Sequence, residues 1–217
     1  MAQMASPRGI FRAGAISSVL VAIFIIVALV SGLLAGPPQQ DIAQALVRID
    51  ANKLLITLGL GAGIMIALFL IPVIPALYLA LREIQHTYTL LASVIAGVGV
   101  VTSLLSSSTQ YALVRLSDSY AAASGADRTA IVAASNAMRG SSNVSLTETG
   151  ILLGVATILI SLAMLRGVFS KWVGWVGVVA GILSLLSLVP PLSILFLAAN
   201  VVYIIWFVGI GARLYRL

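Results

Sequence analysis

The distribution of charge around the apolar segments constrains this chain more than any motif does. Six apolar segments can be drawn, at residues 13–36, 54–81, 88–111, 149–165, 172–189 and 192–212. If the N-terminus is cytoplasmic, the inner connections carry seven cations and one acid, a net charge of +6, and the outer connections carry five of each. Cations concentrate in this way on the cytoplasmic side of membrane proteins. We therefore predict an all-α polytopic membrane protein of the inner (cytoplasmic) membrane, with six transmembrane helices and both termini cytoplasmic.

The composition limits the classes of function. The chain is 61% hydrophobic and 8% charged, whereas soluble domains carry about a quarter charged residues, so we predict that residues 1–217 form one transmembrane domain. The inner cations are dispersed without a basic run, which argues against nucleic acid and favours anionic phospholipid headgroups as partners at the cytoplasmic face. Trp172, Trp175 and Trp206 lie toward the inner ends of their segments, where aromatic rings commonly form an interfacial belt.

The residue types that catalysis or metal binding would need are scarce. The chain has no cysteine, and its one histidine, His86, lies in a predicted cytoplasmic turn, so we expect no haem, metal or other cofactor. No carboxylate lies near the middle of an apolar segment. Coupled transporters and intramembrane hydrolases need ionisable groups at that depth. We therefore expect a protein that is not an enzyme.

Two outer connections are long enough to hold structure of their own. In residues 37–53, apolar residues from Ile42 to Ile49 follow helical spacing and Asp41 precedes them as a predicted N-cap. In residues 116–148, a similar pattern covers residues 127–138. We predict outer loops that each contain a short amphipathic helix, which either packs on the end of the bundle or covers a cavity.

Proline and glycine mark places where helices bend or approach closely. Pro72 and Pro75 lie within the second segment, so we predict a kink and a hinge there, with the carbonyls of Leu68 and Ile71 deprived of their usual donors. Glycines four residues apart let helix backbones approach closely in lipid. Such pairs are Gly59 and Gly63, Gly150 and Gly154, and Gly177 and Gly181. We expect the last two pairs to pack against each other.

Polar side chains near the outer end of the third segment supply most of the candidate site. Hydroxyl and amide residues crowd residues 102–111 and are followed by Arg115, while Glu148 opens the fourth segment and Asn200 lies inside the sixth. The ligand-binding candidates are Ser106, Gln110, Tyr111, Arg115, Glu148 and Asn200. Structural alternatives are hydroxyls bonded to their own helix, an Arg115–Glu148 ion pair, and an interhelical hydrogen bond from Asn200.

Residues 150–186, and above all the run LRGVFSKWVGWVGVVAG at residues 165–181, resemble a family of prokaryotic six-helix membrane proteins catalogued only as a domain of unknown function. The shared features are a basic hairpin, the glycine-stepped helix that follows it, and an arginine and glycine near the first helix, here Arg12 and Gly14. The resemblance implies the fold and a bacterial or archaeal membrane, and it implies no activity.

These observations predict a protein that binds a lipid-like or small ligand in a small polar cavity in its outer half, or that serves as a subunit of a membrane complex or homo-oligomer. The alternative is a passive transporter or channel for a small solute, with residues 106–111 lining the path and the proline kink as hinge. The two classes differ in whether solute crosses a vesicle membrane.

Overall fold

The computed structural model describes residues 7–192 and 194–217. Within these ranges the chain forms helices and no strand. The helices are α1 (Pro7–Leu34), α2 (Ile42–Ala51), α3 (Lys53–Leu81), α4 (His86–Ala122), α5 (Gly125–Met164), α6 (Lys171–Leu186) and α7 (Leu195–Leu214), with one 3-10 turn at Pro190–Leu192. Each predicted apolar segment lies largely within one of these helices, because uninterrupted apolar sequence in lipid must satisfy its backbone internally.

The helices have the lengths and surfaces of membrane spans. Five of them (α1, α3, α4, α5 and α7) are long and apolar enough to cross a bilayer, whereas α6 is apolar but has only 16 residues. Large apolar side chains such as Leu33, Leu54 and Val94 are exposed on the outside of the bundle. An apolar exterior of this extent is typical of a protein surrounded by lipid. The chain is therefore a polytopic α-helical membrane protein.

Six of the helices form a closed ring. In order around the ring, α1 packs on α3, α3 on α4, α4 on α5, α5 on α6, α6 on α7, and α7 on α1. The core inside the ring contains fully buried side chains that include Leu81, Met164, Ile210 and Leu214. Every helix of the ring thus has two neighbours, and the centre is enclosed by all six.

Glycines allow the closest approach between α5 and α6. A Cβ atom built on Gly181 would lie 2.8 Å from the carbonyl oxygen of Gly154, and one on Gly150 would lie 3.0 Å from Leu188. The prediction that these glycines pack α5 against α6 is confirmed. Gly59 likewise lies against Ser31 of α1, whereas a Cβ on Gly63 would meet nothing within 4 Å.

Helix α3 continues through both of its prolines. Pro72 is partly buried and Pro75 is exposed, and the helix runs without a break to Leu81. The proline nitrogens still leave the carbonyls of Leu68 and Ile71 without a backbone donor. The hinge at Pro72 and Pro75 stays a prediction.

The second outer connection is helical, and the prediction of a loop over residues 116–148 is wrong. Helix α4 extends to Ala122 and α5 begins at Gly125, so Ala123 and Ser124 are the whole connection between them. Residues 127–138 are part of the continuous helix α5. The segment contains no proline, and its alanine, serine and asparagine residues allow a helix that packs along α4. Polar sequence indicated exposure to water and did not indicate a loop.

Helix α2 lies where the sequence predicts a short amphipathic helix. The Asp41 carboxylate accepts a hydrogen bond of 2.9 Å from the backbone N–H of Gln44, which confirms the predicted N-cap. Ile42, Ala45 and Leu46 are buried against the bundle, where α2 packs mainly on α4. The apolar face of α2 is thus covered by the neighbouring ends of the membrane helices.

Candidate functional site

A central cavity of about 220 Å³ lies within the ring, is partly open to the surroundings, and is lined by residues of all six helices. Most of the wall is aliphatic and comes from α3 and α5. Representative wall residues are Ile66, Leu70, Val73, Leu153 and Ile160. A concave apolar chamber with a few polar groups is the usual form of a site for a small organic molecule.

Five neutral polar side chains interrupt the apolar wall. They are Ser93, Thr157, Ser184, Asn200 and Tyr203, and all but Ser93 belong to α5, α6 and α7. The Tyr203 hydroxyl donates to Thr157 Oγ1 over 3.4 Å, and Asn200 Nδ2 donates to the carbonyl of Phe196 in its own helix over 2.8 Å. Among the described residues that line this cavity there is no carboxylate, lysine, arginine or histidine. The chamber offers hydrogen bonds and no formal charge.

Aromatic side chains of α7 form one wall of the central cavity. The rings of Trp206 and Phe207 lie 5.1 Å apart between centroids, and Tyr203 stands 6.1 Å from Trp206. Trp206 is 3% exposed, so its predicted place in an interfacial belt is wrong, whereas Trp172 and Trp175 are exposed. Trp206 enters the core because Gly177 of α6, which has no side chain, leaves room for the indole.

A second cavity, the outer groove, lies beneath α2 and has a volume of about 360 Å³. Its wall includes Ser31, Arg48, Ile49, Gln110 and Leu113, so α2 contributes two residues to one side of it. The Arg48 guanidinium is bonded to the two residues that follow α1: Nε donates to the carbonyl of Ala35 over 2.9 Å and Nη2 donates to that of Gly36. The cationic residue among those lining this groove is Arg48, and its two hydrogen bonds attach α2 to the residues that follow α1.

The structure separates the six candidate residues that sequence reasoning grouped together. Asn200 lines the central cavity and Gln110 lines the outer groove. Ser106 is buried and accepts a 3.4 Å hydrogen bond from Gln110 Nε2, while the Tyr111 hydroxyl donates to the carbonyl of Thr57 over 3.4 Å. These residues do not surround a single polar cavity in the outer half.

The polar run of α4 is paired with a polar stretch of α5. Thr149 Oγ1 donates to Thr102 Oγ1 over 3.0 Å, and Gly99 lies against Leu153. This antiparallel register places residues 102–110 of α4 beside residues 141–149 of α5. Some hydroxyls in the run also bond to carbonyls of their own helix, as Ser107 does to Ser103 at 2.9 Å. The back-bonding alternative is confirmed for these hydroxyls.

Arg115 and Glu148 are both exposed and do not form the expected ion pair. The register explains why. Glu148 is next to Thr149 and so lies level with Thr102, whereas Arg115 lies thirteen residues farther along α4, about 20 Å at 1.5 Å per residue. Within the described residues, the ion pair that does form joins Lys53 to Asp118 at 2.6 Å, between α3 and α4.

Sequence reasoning missed four of the five polar residues of the central cavity. Thr157, Ser184 and Ser93 are isolated polar residues within apolar segments, as Asn200 is. That isolation is a usable signal, because a polar group in hydrocarbon is costly unless it faces a partner or a cavity. A polar cluster at the end of a helix is a weaker signal, since it can be explained by the water interface.

The residues that carry the family resemblance have structural roles. In the run 165–181, a Cβ on Gly167 would lie 2.8 Å from Leu81, and Gly174 packs against Leu165 at the start of the hairpin. Searches among curated proteins and among solved structures find no significant match. The model of one family, however, matches residues 13–216. The chain belongs to the family described as Domain of unknown function (DUF4386).

Proposed function

We propose that this protein binds a neutral, lipid-like molecule in its central cavity and catalyses no reaction on it. The observation that carries the proposal is the lining of the cavity, which combines aliphatic walls with five neutral hydrogen-bonding side chains. A charged ligand group buried there would lack a countercharge, at a cost of several kcal/mol. A hydroxyl or carbonyl group could instead bond to Asn200, Tyr203 or Ser184.

The volume limits how much of the ligand enters. A cavity of about 220 Å³ is smaller than the roughly 300–1,000 Å³ of sites that enclose a drug-sized molecule. We infer that one chain and one neutral terminal group enter, and that the rest of the molecule stays in the surrounding lipid. A long-chain alcohol, or the hydroxyl-bearing portion of a neutral lipid, has this form.

We also propose the six crossings and the orientation that the charge pattern predicts, in the cytoplasmic (inner) membrane of a prokaryote. The support is that Arg8 and Arg12 begin α1 while Arg213 and Arg216 end the chain, and that α1 and α7 pack on each other as antiparallel neighbours. Both ends of the chain then lie on one side of the bilayer, as an even number of crossings requires.

Binding is favoured over passive transport. The transport alternative assigns the path to residues 106–111, and these side chains lie along α5, α3 and the outer groove rather than around the central cavity. Liposomes that contain the protein should therefore release glycerol no faster than empty liposomes. Faster release that is abolished by Ser106→Leu would favour the transport alternative.

Photocrosslinking tests the binding proposal directly. The purified protein in detergent is irradiated with a diazirine-bearing long-chain alcohol, and the labelled peptides are mapped by mass spectrometry. We expect saturable labelling of α3, α5 and α7, competed by an unlabelled long-chain alcohol and much less by the fatty acid of equal length, because the cavity provides no cation for a carboxylate.

Two alanine variants make a matched pair for this experiment. Ala96→Phe adds a ring at a residue that lines the cavity, so it should abolish the saturable labelling. Ala198→Phe adds the same ring to an exposed residue of α7 and should leave the labelling intact. Labelling that does not saturate, or that both variants reduce equally, would contradict a site in the central cavity.

A further inference from the structure

The inner ends of α1 and α7 form a cleft that the proposed function does not use. This arginine cleft has a volume of about 240 Å³ and is lined by Arg8, Arg12, Tyr215, Arg216 and Leu217. Three guanidinium groups therefore line one small space. It lies at the ends of the two helices, away from the residues that line the central cavity.

Backbone packing fixes the separation of these arginines. A Cβ on Gly211 of α7 would lie 3.0 Å from the carbonyl oxygen of Ala15, and one on Gly14 of α1 would lie 3.3 Å from Leu214. The two helices therefore meet almost backbone to backbone immediately inside the cleft. The packing fixes the backbone positions from which these arginines extend, although their side chains are exposed.

The cleft carries an excess of positive charge, since three of its lining residues are arginines. Arg8 and Arg12 are four residues apart on α1 and share one face, where like charges repel. Among the described residues no carboxylate forms an ion pair with these arginines, and the one anionic group on a lining residue is the terminal carboxylate of Leu217; residues 1–6 contain no acid. A neighbouring cation, Arg213, donates through Nε to the carbonyl of Val168 over 2.7 Å and adds to the local field.

We propose that the arginine cleft binds an anionic phosphate group. Guanidinium groups bind phosphate oxygens through paired N–H donors, and several of them on one phosphate offset their mutual repulsion. The phosphate can belong to the headgroup of an anionic phospholipid in the cytoplasmic leaflet or to a free phosphate in solution. Both sources present the same chemistry to the cleft.

Native mass spectrometry tests this proposal on the full chain. The delipidated protein is titrated with phosphatidylglycerol, which is anionic, and with phosphatidylcholine, whose choline cation the arginines would repel. We expect preferential retention of phosphatidylglycerol, reduced about tenfold by Arg12→Gln or by Arg216→Gln. Arg128→Gln removes one positive charge at the far end of the molecule and should leave the preference unchanged.

Competition with inorganic phosphate distinguishes a lipid headgroup from a free phosphate, and the variants show whether the proposal is wrong. If millimolar inorganic phosphate displaces phosphatidylglycerol, the cleft recognises phosphate without a lipid chain; if it does not, the lipid is the ligand. If the glutamine variants misfold, the double variant Arg12→Lys with Arg216→Lys keeps the net charge. It should still weaken the retention of phosphatidylglycerol, because lysine lacks the paired donors of arginine. Equal loss in Arg128→Gln, or no loss in any inner variant, would overturn the proposal.

Discussion

At the scale of the residue, the packing of this bundle depends on positions where a side chain is missing. Gly177 is the clearest case, because it lies at the junction of three helices. The Ser161 hydroxyl of α5 and the Trp206 indole nitrogen of α7 both lie against it, and both are buried without a hydrogen-bond partner among the described residues. A side chain at residue 177 would push apart the helices that form the aromatic wall of the central cavity.

Replacement of Gly177 by alanine should destabilise the protein. The added Cβ would lie 2.7 Å from Trp206 Cε2 and would overlap Ser161 Oγ. Overpacking of this kind costs about 1–3 kcal/mol. The expected result is a lower melting temperature in detergent and weaker photolabelling of the central cavity.

Gly63→Ala is the matched control for Gly177→Ala. A Cβ at residue 63 would meet nothing within 4 Å, so this variant should be neutral, or more stable by up to about 1 kcal/mol from helix propensity alone. Equal destabilisation by both variants would mean that glycine matters here through backbone flexibility and not through close packing.

At the scale of the element, the outer surface is held together by long cationic side chains. Arg48 of α2 donates to the carbonyls of Ala35 and Gly36 that follow α1, and Arg139 of α5 donates to those of Gln39 and Gln40, over 2.6 Å to Gln39. The connection between α1 and α2 is thus fixed from two sides. Helix α2 has only 10 residues, and isolated helices of that length are marginal in water.

Removal of the Arg48 guanidinium should loosen α2. In Arg48→Gln, the carbonyls of Ala35 and Gly36 lose a charged donor, and hydrogen bonds to charged groups contribute about 1.5–3 kcal/mol. Backbone amides of residues 36–52 should therefore exchange hydrogen for deuterium about tenfold faster, as measured by mass spectrometry. Residues of α5 and α7 should exchange at the wild-type rate.

The control for this exchange measurement is Arg128→Gln. The Arg128 guanidinium lies 4.2 Å from the centre of the Tyr120 ring, between the outer ends of α4 and α5. Its loss should leave the exchange of residues 36–52 unchanged. If Arg48→Gln also leaves that exchange unchanged, the burial of Ile42 and Leu46 and the Arg139 hydrogen bonds hold α2 in place without Arg48.

The positions of the helices could be predicted from the sequence more fully than the residues through which the helices contact one another. Apolar length located the membrane helices, and the Asp41 cap with its apolar spacing located α2. In lipid, however, both the outside and the inside of a bundle are apolar. Hydrophobicity therefore could not predict that Trp206 points into the core and Leu197 outward. It also could not predict that Thr157, Ser184 and Tyr203 line the same cavity as Asn200. The first part of α5, before residue 149, was predicted as a loop because a polar sequence is compatible both with a loop and with an exposed helix.

For the molecule as a whole, the membrane topology depends on α6, the shortest helix of the ring. Its 16 residues span about 24 Å at 1.5 Å per residue, against a hydrocarbon core of about 30 Å. Its neighbours α5 and α7 are longer, and its glycines pack tightly on α5. A short span of this kind is accommodated by local thinning of the bilayer, at a modest cost in free energy. Whether the chain crosses six times depends on α6.

Cysteine accessibility decides the number of crossings, and because the chain has no native cysteine, any label on the purified protein marks the introduced residue. Val189 follows α6 and Tyr215 follows α7, and both side chains are exposed. With six crossings and a cytoplasmic N-terminus, Val189→Cys should react with an impermeant maleimide on intact cells, as should the control Ser141→Cys on the exposed part of α5. Tyr215→Cys should react only after permeabilisation. Protection of Val189→Cys together with external labelling of Tyr215→Cys would mean that α6 enters and leaves the membrane on the same side. The two ends of the chain would then lie on opposite sides of the membrane. That result would contradict both the proposed orientation and the arginine cleft, whose residues come from both ends.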